Sequence, residues 1–392
     1  MQANSVSIAP EMLNWVIAHI QMNSLPKQIV EHLTAWISGQ KEPTFNQIEK
    51  VSRATGIPLG YFFLEQPPKE DVSFVEYRTV DSIQLENPSR NLIDIMHDMD
   101  QVQEWMHDYL FSTGSPTMEY VGALQKEQSY EIFAQYVRSL LDLPIDWYKE
   151  SKNADASFSI IRKAISNKGT IVMMSGIVGN NTHRPLSIDE FRAFSITDDY
   201  APLIFINSND SVNGKLFSLL HEFAHICIGE NSLFNDRYST GEKVKKAETL
   251  CNAVAAEILV PQKIFIQEWN VAVQQNEQEQ AVNTLARNFK CGVTVIARKA
   301  YDNGFIGYDL YRKISKLAVQ IYNDHRKRMK ERGESGGDYY RPAASRIDQR
   351  FFRLLISSVY EGKTLYSDAF RLTNTNRSTF TNLVESVGGG LK

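Results

Sequence analysis

The sequence has few cysteines and no long apolar run. Its 392 residues contain only Cys227, Cys251 and Cys291, an odd and scattered set that does not suit a disulfide framework. No apolar run reaches the roughly 18 residues that a membrane span requires, and the N-terminus has no signal-peptide pattern. We therefore expect free thiols, no membrane span and a cytoplasmic location.

The chain also has little excess of either charge. Its 42 Lys and Arg residues and 46 Asp and Glu residues give a net charge of −4. The composition as a whole therefore indicates neither a nucleic-acid-binding nor a membrane-binding protein. The length leaves room for two or three domains with a substantial core. Any function has to be inferred from local motifs.

One such motif is residues 221–225, which read His-Glu-Phe-Ala-His. Apolar side chains recur at helical intervals from 216 to 228, which predicts a largely buried helix. His221 and His225 are four residues apart, so both imidazoles leave one face and can occupy two corners of a zinc tetrahedron. Glu222 would reach a water on the metal as a general base. The alternative is a chance occurrence, but burying these three side chains without a metal would be unfavourable.

A third ligand is expected from a second predicted helix, residues 247–261. Glu248 and Asn252 share a face because they are four residues apart. Glu248 can therefore complete the site, while Asn252 can orient a histidine through a hydrogen bond. Glu257 is the alternative ligand, although its apolar surroundings favour helix packing or a buried salt bridge. The fourth zinc position would stay open for water.

Other polar residues near these motifs are assigned differently. Cys227 follows His225 by two residues, which turns it away from the metal face, and we assign Cys227 and Cys251 to the core. The sequence identifies no oxyanion donor. His183 and Arg184, on the loop after the first predicted strand, are the candidates considered for that role.

These motifs resemble the ImmA/IrrE metallopeptidases. Residues 216–225 read Leu-Phe-Ser-Leu-Leu-His-Glu-Phe-Ala-His, and residues 248–261 follow with Glu-Thr-Leu-Cys-Asn-Ala-Val-Ala-Ala-Glu-Ile-Leu-Val-Pro. The family pattern is roughly F-T-L-A-H-E-L-G-H and then E-x-x-A-N-x-F-A-A-E-L-L-M-P. Cys251 replaces the usual alanine and Val254 the usual phenylalanine, and neither position carries a ligand. The resemblance implies a zinc peptidase that cleaves regulatory proteins, often repressors.

The N-terminal segment resembles part of an Xre-type helix-turn-helix, which the longer family members carry. Residues 36–44 read Trp-Ile-Ser-Gly-Gln-Lys-Glu-Pro-Thr, in which Gly39 suits a turn and Pro43 can start the next helix. Short helices are predicted over 11–20, 25–34, 43–55 and 58–64. The chain between Ile29 and Trp36 is too short for the usual turn and recognition helix, and base-reading Arg and Gln clusters are missing. A degenerate docking module and a DNA reader both remain open.

Residues 280–306 are a second helix-turn-helix candidate. Thr294, Arg298 and Lys299 lie on its second predicted helix, after a turn at Lys290-Cys-Gly. This segment could bind DNA, or it could be a small helical bundle that closes the peptidase. The basic run that follows, residues 324–332, could contact phosphates or be a solvated helix end.

The predicted fold class is α+β, a mostly helical chain around a zincin-like core made of a small sheet and the metal-binding helix. Helices are expected over 89–113, 127–142 and 157–166, and strands over 170–178, 191–196 and 202–207. The predicted domains are a degenerate helix-turn-helix (1–67), a linker and helical segment (68–156), the metallopeptidase core (157–275), a helix-turn-helix-like module (276–332) and a C-terminal helical module (333–392).

Two functions follow as hypotheses. The first is a zinc endopeptidase that cleaves a repressor-like protein, with His221, His225 and Glu248 as ligands and Glu222 as general base. The alternative is a transcriptional regulator or antitoxin that binds and neutralises a PIN-like nuclease toxin, with the zinc site structural or conditionally active. The expected partners are a protein, either substrate or toxin, and DNA through the helix-turn-helix-like modules. The sequence leaves open whether the chain forms a dimer.

Overall fold

Short helices make up most of the chain because its apolar residues recur at helical spacing. The computed structural model describes residues 5–20, 22–68, 88–234, 242–331 and 343–388. These residues are mostly helical with a small mixed sheet, which confirms the predicted α+β class. They divide into two compact units. The first comprises residues 5–68, 88–100 and Gly176–Leu186, and the second the remaining described residues.

The helix bounds agree with most sequence predictions to within a few residues. The helices are α1 (Pro10–Ala18), α2 (Lys27–Ile37), α3 (Phe45–Thr55), α4 (Arg90–Ser112), α5 (Tyr130–Leu140), α6 (Ala154–Asn167), α7 (Val212–Ile228), α8 (Glu242–Leu259), α9 (Gln262–Gln275), α10 (Gln278–Asn288), α11 (Val293–Asp302), α12 (Tyr308–Glu331), α13 (Ala343–Arg346), α14 (Gln349–Tyr360), α15 (Tyr366–Leu372) and α16 (Arg377–Gly388). The strands are β1 (Ile171–Ser175), β2 (Ala193–Ile196), β3 (Leu203–Asn207) and β4 (Ser232–Phe234).

No single described helix is both long enough and apolar enough to cross a bilayer. One pair of consecutive helices meets both criteria when taken together, Lys246–Leu259 and Gln262–Gln275, and this pair is bent by 60°. Most of the predicted extended linker, residues 69–80, lies outside the described residues. The five predicted domains stay a prediction.

The first unit is built on a core between α1, α2 and α3. Helix α2 is unbroken from Lys27 to Ile37, so this stretch contains no helix-turn-helix turn. The turn after it uses Gly39, whose φ of 68° favours glycine. Helix α3 begins at Phe45 because Thr44 and Gln47 form a capping box, so the expectation that Pro43 starts it was wrong by two residues. The Xre-type identity of this unit stays a prediction.

The loop Gly176–Leu186 belongs to this first unit. The Arg184 guanidinium donates to Asp94 at 2.6 Å and to Asn91 at 3.0 Å. A Cβ atom on Gly56 would lie 2.3 Å from this guanidinium, and Gly56 also has a φ of 77°. Glycine at position 56 therefore makes room for Arg184 as well as ending α3.

The sheet has the strand order β1-β3-β2-β4. Strands β1 and β3 are parallel, and the β3–β2 and β2–β4 pairs are antiparallel. The three predicted strands are confirmed, whereas β4, only three residues long, was not predicted. All residues of β1, β2 and β3 are buried, which explains why they read as apolar runs. Helix α7 packs against β2 and β3.

The C-terminal module covers the outer edge of β1. Both outward-facing backbone groups of Val172 are bonded: its N–H donates to Asp348 at 3.2 Å, and its carbonyl accepts from Arg162 at 2.9 Å. Arg162 also donates to the carbonyl of Ser345 at 2.7 Å. Asp348 and Arg162 thereby satisfy the two backbone groups of Val172 that this edge strand would otherwise leave unpaired.

Asp348 connects this edge to the helix that follows it. Its buried carboxylate also accepts from Ser166 Oγ at 2.6 Å and caps α14. We expect Asp348→Ala to lower the free energy of unfolding by about 2–4 kcal/mol, because a helix cap is lost and buried donors lose their acceptor. Asp368→Ala, at a more exposed site on α15, should cost about 0.5 kcal/mol or less. Chemical denaturation measures both, and equal losses would contradict this account of Asp348.

Candidate metal centre

The start of helix α7 is fixed by a glycine and a buried carboxylate. Ser211 Oγ caps the helix by accepting from the Gly214 N–H at 3.0 Å. A Cβ atom on Gly214 would lie 2.3 Å from Asp210 Oδ2, so no side chain fits there. The same Asp210 oxygen accepts from Arg192 at 2.7 Å. These contacts set the first turn of α7.

The end of α7 is fixed by a second chain segment. Gly229 ends the helix in the left-handed region, with a φ of 80°. The N–H of Gly122 donates to the Ile226 carbonyl at 3.1 Å, and that of Leu124 to the Cys227 carbonyl at 2.9 Å. A Cβ atom on Gly229 would lie 3.1 Å from Gly122 Cα, so the close backbone approach favours glycine at position 229. With both ends held, the side chains in the middle of α7 have defined positions.

The two histidines of α7 meet one carboxylate of α8. His221 Nε2 and His225 Nε2 are 3.1 Å apart. Glu248 Oε2 lies 3.2 Å from His221 Nε2, and Glu248 Oε1 lies 3.2 Å from His225 Nε2. Both histidines are buried, and the Glu248 side chain is 13% exposed. The structure therefore brings the three predicted ligands together.

These donor atoms could hold a metal ion. A tetrahedron with ligand distances of about 2.0–2.1 Å has edges of about 3.3 Å, close to the three separations. Two imidazoles and one carboxylate are also a donor set that zinc accepts, and three protein ligands would leave one position for water or substrate. Among the described residues, these three are the group of His, Cys, Asp and Glu side chains close enough to share an ion.

The charges in the site suit a cation. Burial raises the pKa of the Glu248 carboxyl, but hydrogen bonds to the two imidazoles outweigh burial and hold that pKa well below its usual range. Burial lowers the pKa of His225, whereas the neighbouring Cys251 and Glu248 outweigh it and raise that pKa. Positive charge is thus stabilised beside the Glu248 carboxylate, in the place that a divalent ion would take.

Ser195 was not predicted, and it holds the expected general base. Ser195 Oγ donates to Glu222 Oε2 at 2.7 Å, and both residues are buried. Ala193 and Ser195 share one face of β2 because side chains alternate along a strand, and Ala193 packs in the same core as α7. Strand alternation could have placed Ser195 on this face. It could not have paired Ser195 with Glu222.

The second oxygen of Glu222 remains available. Glu222 Oε1 is buried and has no hydrogen-bond partner among the described residues. Burial raises the pKa of Glu222, while the nearby histidines and the Ser195 hydroxyl lower it by less. The carboxylate is therefore held at one oxygen and can accept a proton at the other.

Glu257 forms a buried ion pair. Lys299 Nζ, on α11, donates to Glu257 Oε2 at 2.7 Å. Glu257 also accepts from the Gln262 N–H at 3.0 Å, at the start of α9. This agrees with the salt-bridge interpretation of Glu257.

Of the three residues of helix α11 considered for DNA contact, Lys299 faces inward, whereas Thr294 and Arg298 are exposed. Lys299 is 9% exposed and pairs with Glu257, and Arg298 binds the Asp302 carboxylate at 2.9 Å. The contacts of Lys299 join α11 to the end of α8, which favours the bundle that closes the peptidase over a DNA-reading helix.

The other candidates have separate surroundings. Asn252 is half-buried and, within the described residues, makes no hydrogen bond to either imidazole, so its orienting role stays a prediction.

Cys227 and Cys251 are both in the core, as expected, although Cys251 lies beside His225. Burial raises the pKa of the Cys251 thiol, which keeps it neutral. His183 and Arg184 bond within the first unit, to Ser24 and Asp94, which disfavours an oxyanion role.

Sequence comparison assigns this region to a known kind of domain. Residues 182–301 match the peptidase family model described as the IrrE N-terminal-like domain. The match supports an ImmA/IrrE-type metallopeptidase. It spans β2, β3 and α7 to α11, and therefore contains the two helices that supply the histidines and Glu248. Residues 347–386 match a domain of unknown function (DUF8813). No curated protein and no solved structure matches the chain.

The Ser195–Glu222 contact can be tested by a double-mutant cycle on stability. Ser195→Ala removes the donor to a buried carboxylate, and Glu222→Leu removes the acceptor. We expect the double variant to lose about 1–3 kcal/mol less unfolding free energy than the two single variants lose together. The reason is that neither Ser195 nor Glu222 then leaves a buried partner without its hydrogen bond. Denaturant unfolding of the metal-free protein measures the coupling.

Ser157 provides a matched control for this cycle. It is a buried serine on α6 whose Oγ has no hydrogen-bond partner in the described part of the chain. Ser157→Ala combined with Glu222→Leu should therefore be additive within about 0.5 kcal/mol. Additivity in the Ser195 cycle as well would show that the contact with Glu222 contributes nothing.

Proposed function

We propose that this protein is a zinc-dependent endopeptidase of the ImmA/IrrE type that cleaves a regulatory, repressor-like protein. One observation supports the proposal above all. His221, His225 and Glu248 lie together in a buried site, next to a Glu222 carboxylate that has one unbonded oxygen. A purely structural zinc site has no use for such a carboxylate. The IrrE-type match over residues 182–301 supports the same reaction class.

His221, His225 and Glu248 would hold the ion. When bound, zinc acts as a Lewis acid that polarises a carbonyl and lowers the pKa of water. Glu222 would supply the base: its Oε1 takes a proton from a water molecule as that water attacks the scissile carbonyl, and the same oxygen can return the proton to the amine when the C–N bond breaks. Ser195 keeps Oε2 fixed, so that Oε1 is the oxygen that exchanges the proton.

Zinc binding tests the ligand assignment and separates Glu248 from Glu257. We expect about one zinc per wild-type chain, and loss of most of it in His221→Ala, His225→Ala and Glu248→Ala, because each removes a donor. Glu257→Ala should keep its zinc and lose about 3–5 kcal/mol of stability, because it leaves Lys299 buried without its carboxylate. Metal analysis with parallel denaturation distinguishes the two effects. Comparable zinc loss in both glutamate variants would refute the assignment.

Glu222→Gln tests the reaction itself. Glutamine keeps the size and one carbonyl oxygen but removes the base, while the three ligands remain. We expect normal zinc content and docking, with cleavage of the target protein reduced by about 10²–10⁴-fold. The measurement is co-expression with each protein encoded by a neighbouring gene, followed by detection of the intact and cut partner.

The opposite result has a definite meaning. If Glu222→Gln matches wild type in the level of every partner and in toxin neutralisation, proteolysis is not the activity. A regulator or antitoxin that binds its partner would then explain the chain. If Glu222→Gln loses its zinc as well as cleavage, that variant is misfolded. Glu222→Asp, which keeps a carboxylate on a shorter side chain, would then take its place in the comparison.

A further inference from the structure

Helix α12 is strongly basic in a chain that is acidic overall. Its 24 residues, Tyr308–Glu331, include seven Lys and Arg and three Asp and Glu, whereas the whole chain has a net charge of −4. The helix also lies outside both family matches, which end at residue 301 and begin at residue 347. Neither match accounts for its charge.

One face of α12 is used for packing. Tyr311, Ser315, Ala318 and Tyr322 are half-buried and recur at intervals of three and four residues, so they form one stripe along the helix. The Tyr322 hydroxyl donates to the Asn209 carbonyl. This stripe anchors α12 to the second unit, and the opposite side faces solvent.

The solvent side carries a row of polar donors, which we call the outer stripe: Arg312, Lys316, Gln320, Asn323 and Lys327. All five are exposed. At 100° and 1.5 Å per residue they fall within an arc of about 80° and span about 22 Å along the axis. Within the described part of the chain, none of the five side chains forms a hydrogen bond or an ion pair.

The composition of the outer stripe is selective. Between residues 312 and 327 the arc itself contains no carboxylate, but by helical spacing the exposed Asp324 lies about 40° beyond its edge, and Asp309 lies in line with it three residues before Arg312. The exposed apolar residues Leu317, Val319 and Ile321 also lie outside the arc. Lys313, just off the stripe, is paired with Glu279 at 2.6 Å. Free ammonium, guanidinium and amide groups are therefore concentrated on one face.

We propose that the outer stripe of α12 is a docking surface for double-stranded DNA. Lys and Arg neutralise phosphates, and arginine, glutamine and asparagine are also the side chains that bond base edges. The major groove admits an α-helix, and a straight face about 22 Å long fits along it. This assigns DNA contact to α12; on α11, Lys299 is buried in its pair with Glu257 and the exposed Arg298 is paired with Asp302. The proposal does not depend on the zinc site.

Fluorescence anisotropy with a labelled mixed-sequence duplex of about 24 base pairs tests it. The test variant is Arg312→Gln/Lys316→Gln/Lys327→Gln. The control, Lys126→Gln/Lys149→Gln/Lys152→Gln, removes the same charge from exposed positions elsewhere in the second unit. We expect the stripe variant to bind at least about tenfold more weakly, with a salt-dependence slope smaller by about 2–3, and the control to stay within about twofold of wild type.

Thermal unfolding checks that the stripe variant is folded, which we expect because all three side chains are exposed and unbonded. Equal weakening of the stripe and control variants would overturn the proposal, since bulk charge would then explain binding. Absence of salt-dependent binding by wild type at about 50 mM salt would also overturn it. The proposal would also be overturned if polyglutamate displaced the labelled DNA as strongly as unlabelled duplex does. That result would indicate an acidic protein as the partner.

Discussion

The second unit depends on burying three polar side chains in the middle of one helix. His221, Glu222 and His225 are at most 2% exposed, and α7 would be unstable in the core if they had no partners. The neighbouring elements supply those partners: α8 provides Glu248, and β2 provides Ser195. The positions of β2 and α8 beside α7 therefore give each of these three side chains a polar partner, as well as burying apolar surface. The same arrangement leaves one oxygen of Glu222 unbonded.

Local periodicity predicted the features that lie within one element. The i, i+4 spacing placed both histidines on one face of α7, and the apolar surroundings of Glu257 favoured Glu248 as their partner. It could not predict contacts set by tertiary packing: Ser195 is 27 residues from Glu222, and Lys299 is 42 residues from Glu257. Strand β4 was missed because three residues are too few to show alternation. The sequence left open whether Lys299 contacts DNA or packs inside a bundle, because a basic residue on an amphipathic helix gives no sign in the sequence of which way it faces.

Burial separates the basic residues of this protein into two groups. Arg162 and Lys299 are structural: they bond carbonyls and a carboxylate inside the second unit, and Arg184 does the same within the first. The outer stripe of α12 makes no such bonds among the described residues. The segments that resemble helix-turn-helix motifs are short helices with scattered charges. The row of donors lies instead on α12, the longest described helix. The candidate metal centre and the outer stripe therefore reside on different helices of one unit.

The covering of β1 by Asp348 affects the order in which the chain can fold during synthesis. Val172 and Asp348 are 176 residues apart, and ribosomes add about 5–20 residues per second. The Val172 N–H consequently lacks its Asp348 partner for roughly 10–35 s after β1 has been made, and α7 and α8 are completed within the first half of that interval. An open strand edge is a template for pairing with other chains. The nascent protein therefore passes through a period in which the two helices of the candidate metal centre exist but the outer edge of β1 is not yet fully covered, and synthesis of Asp348 ends that period.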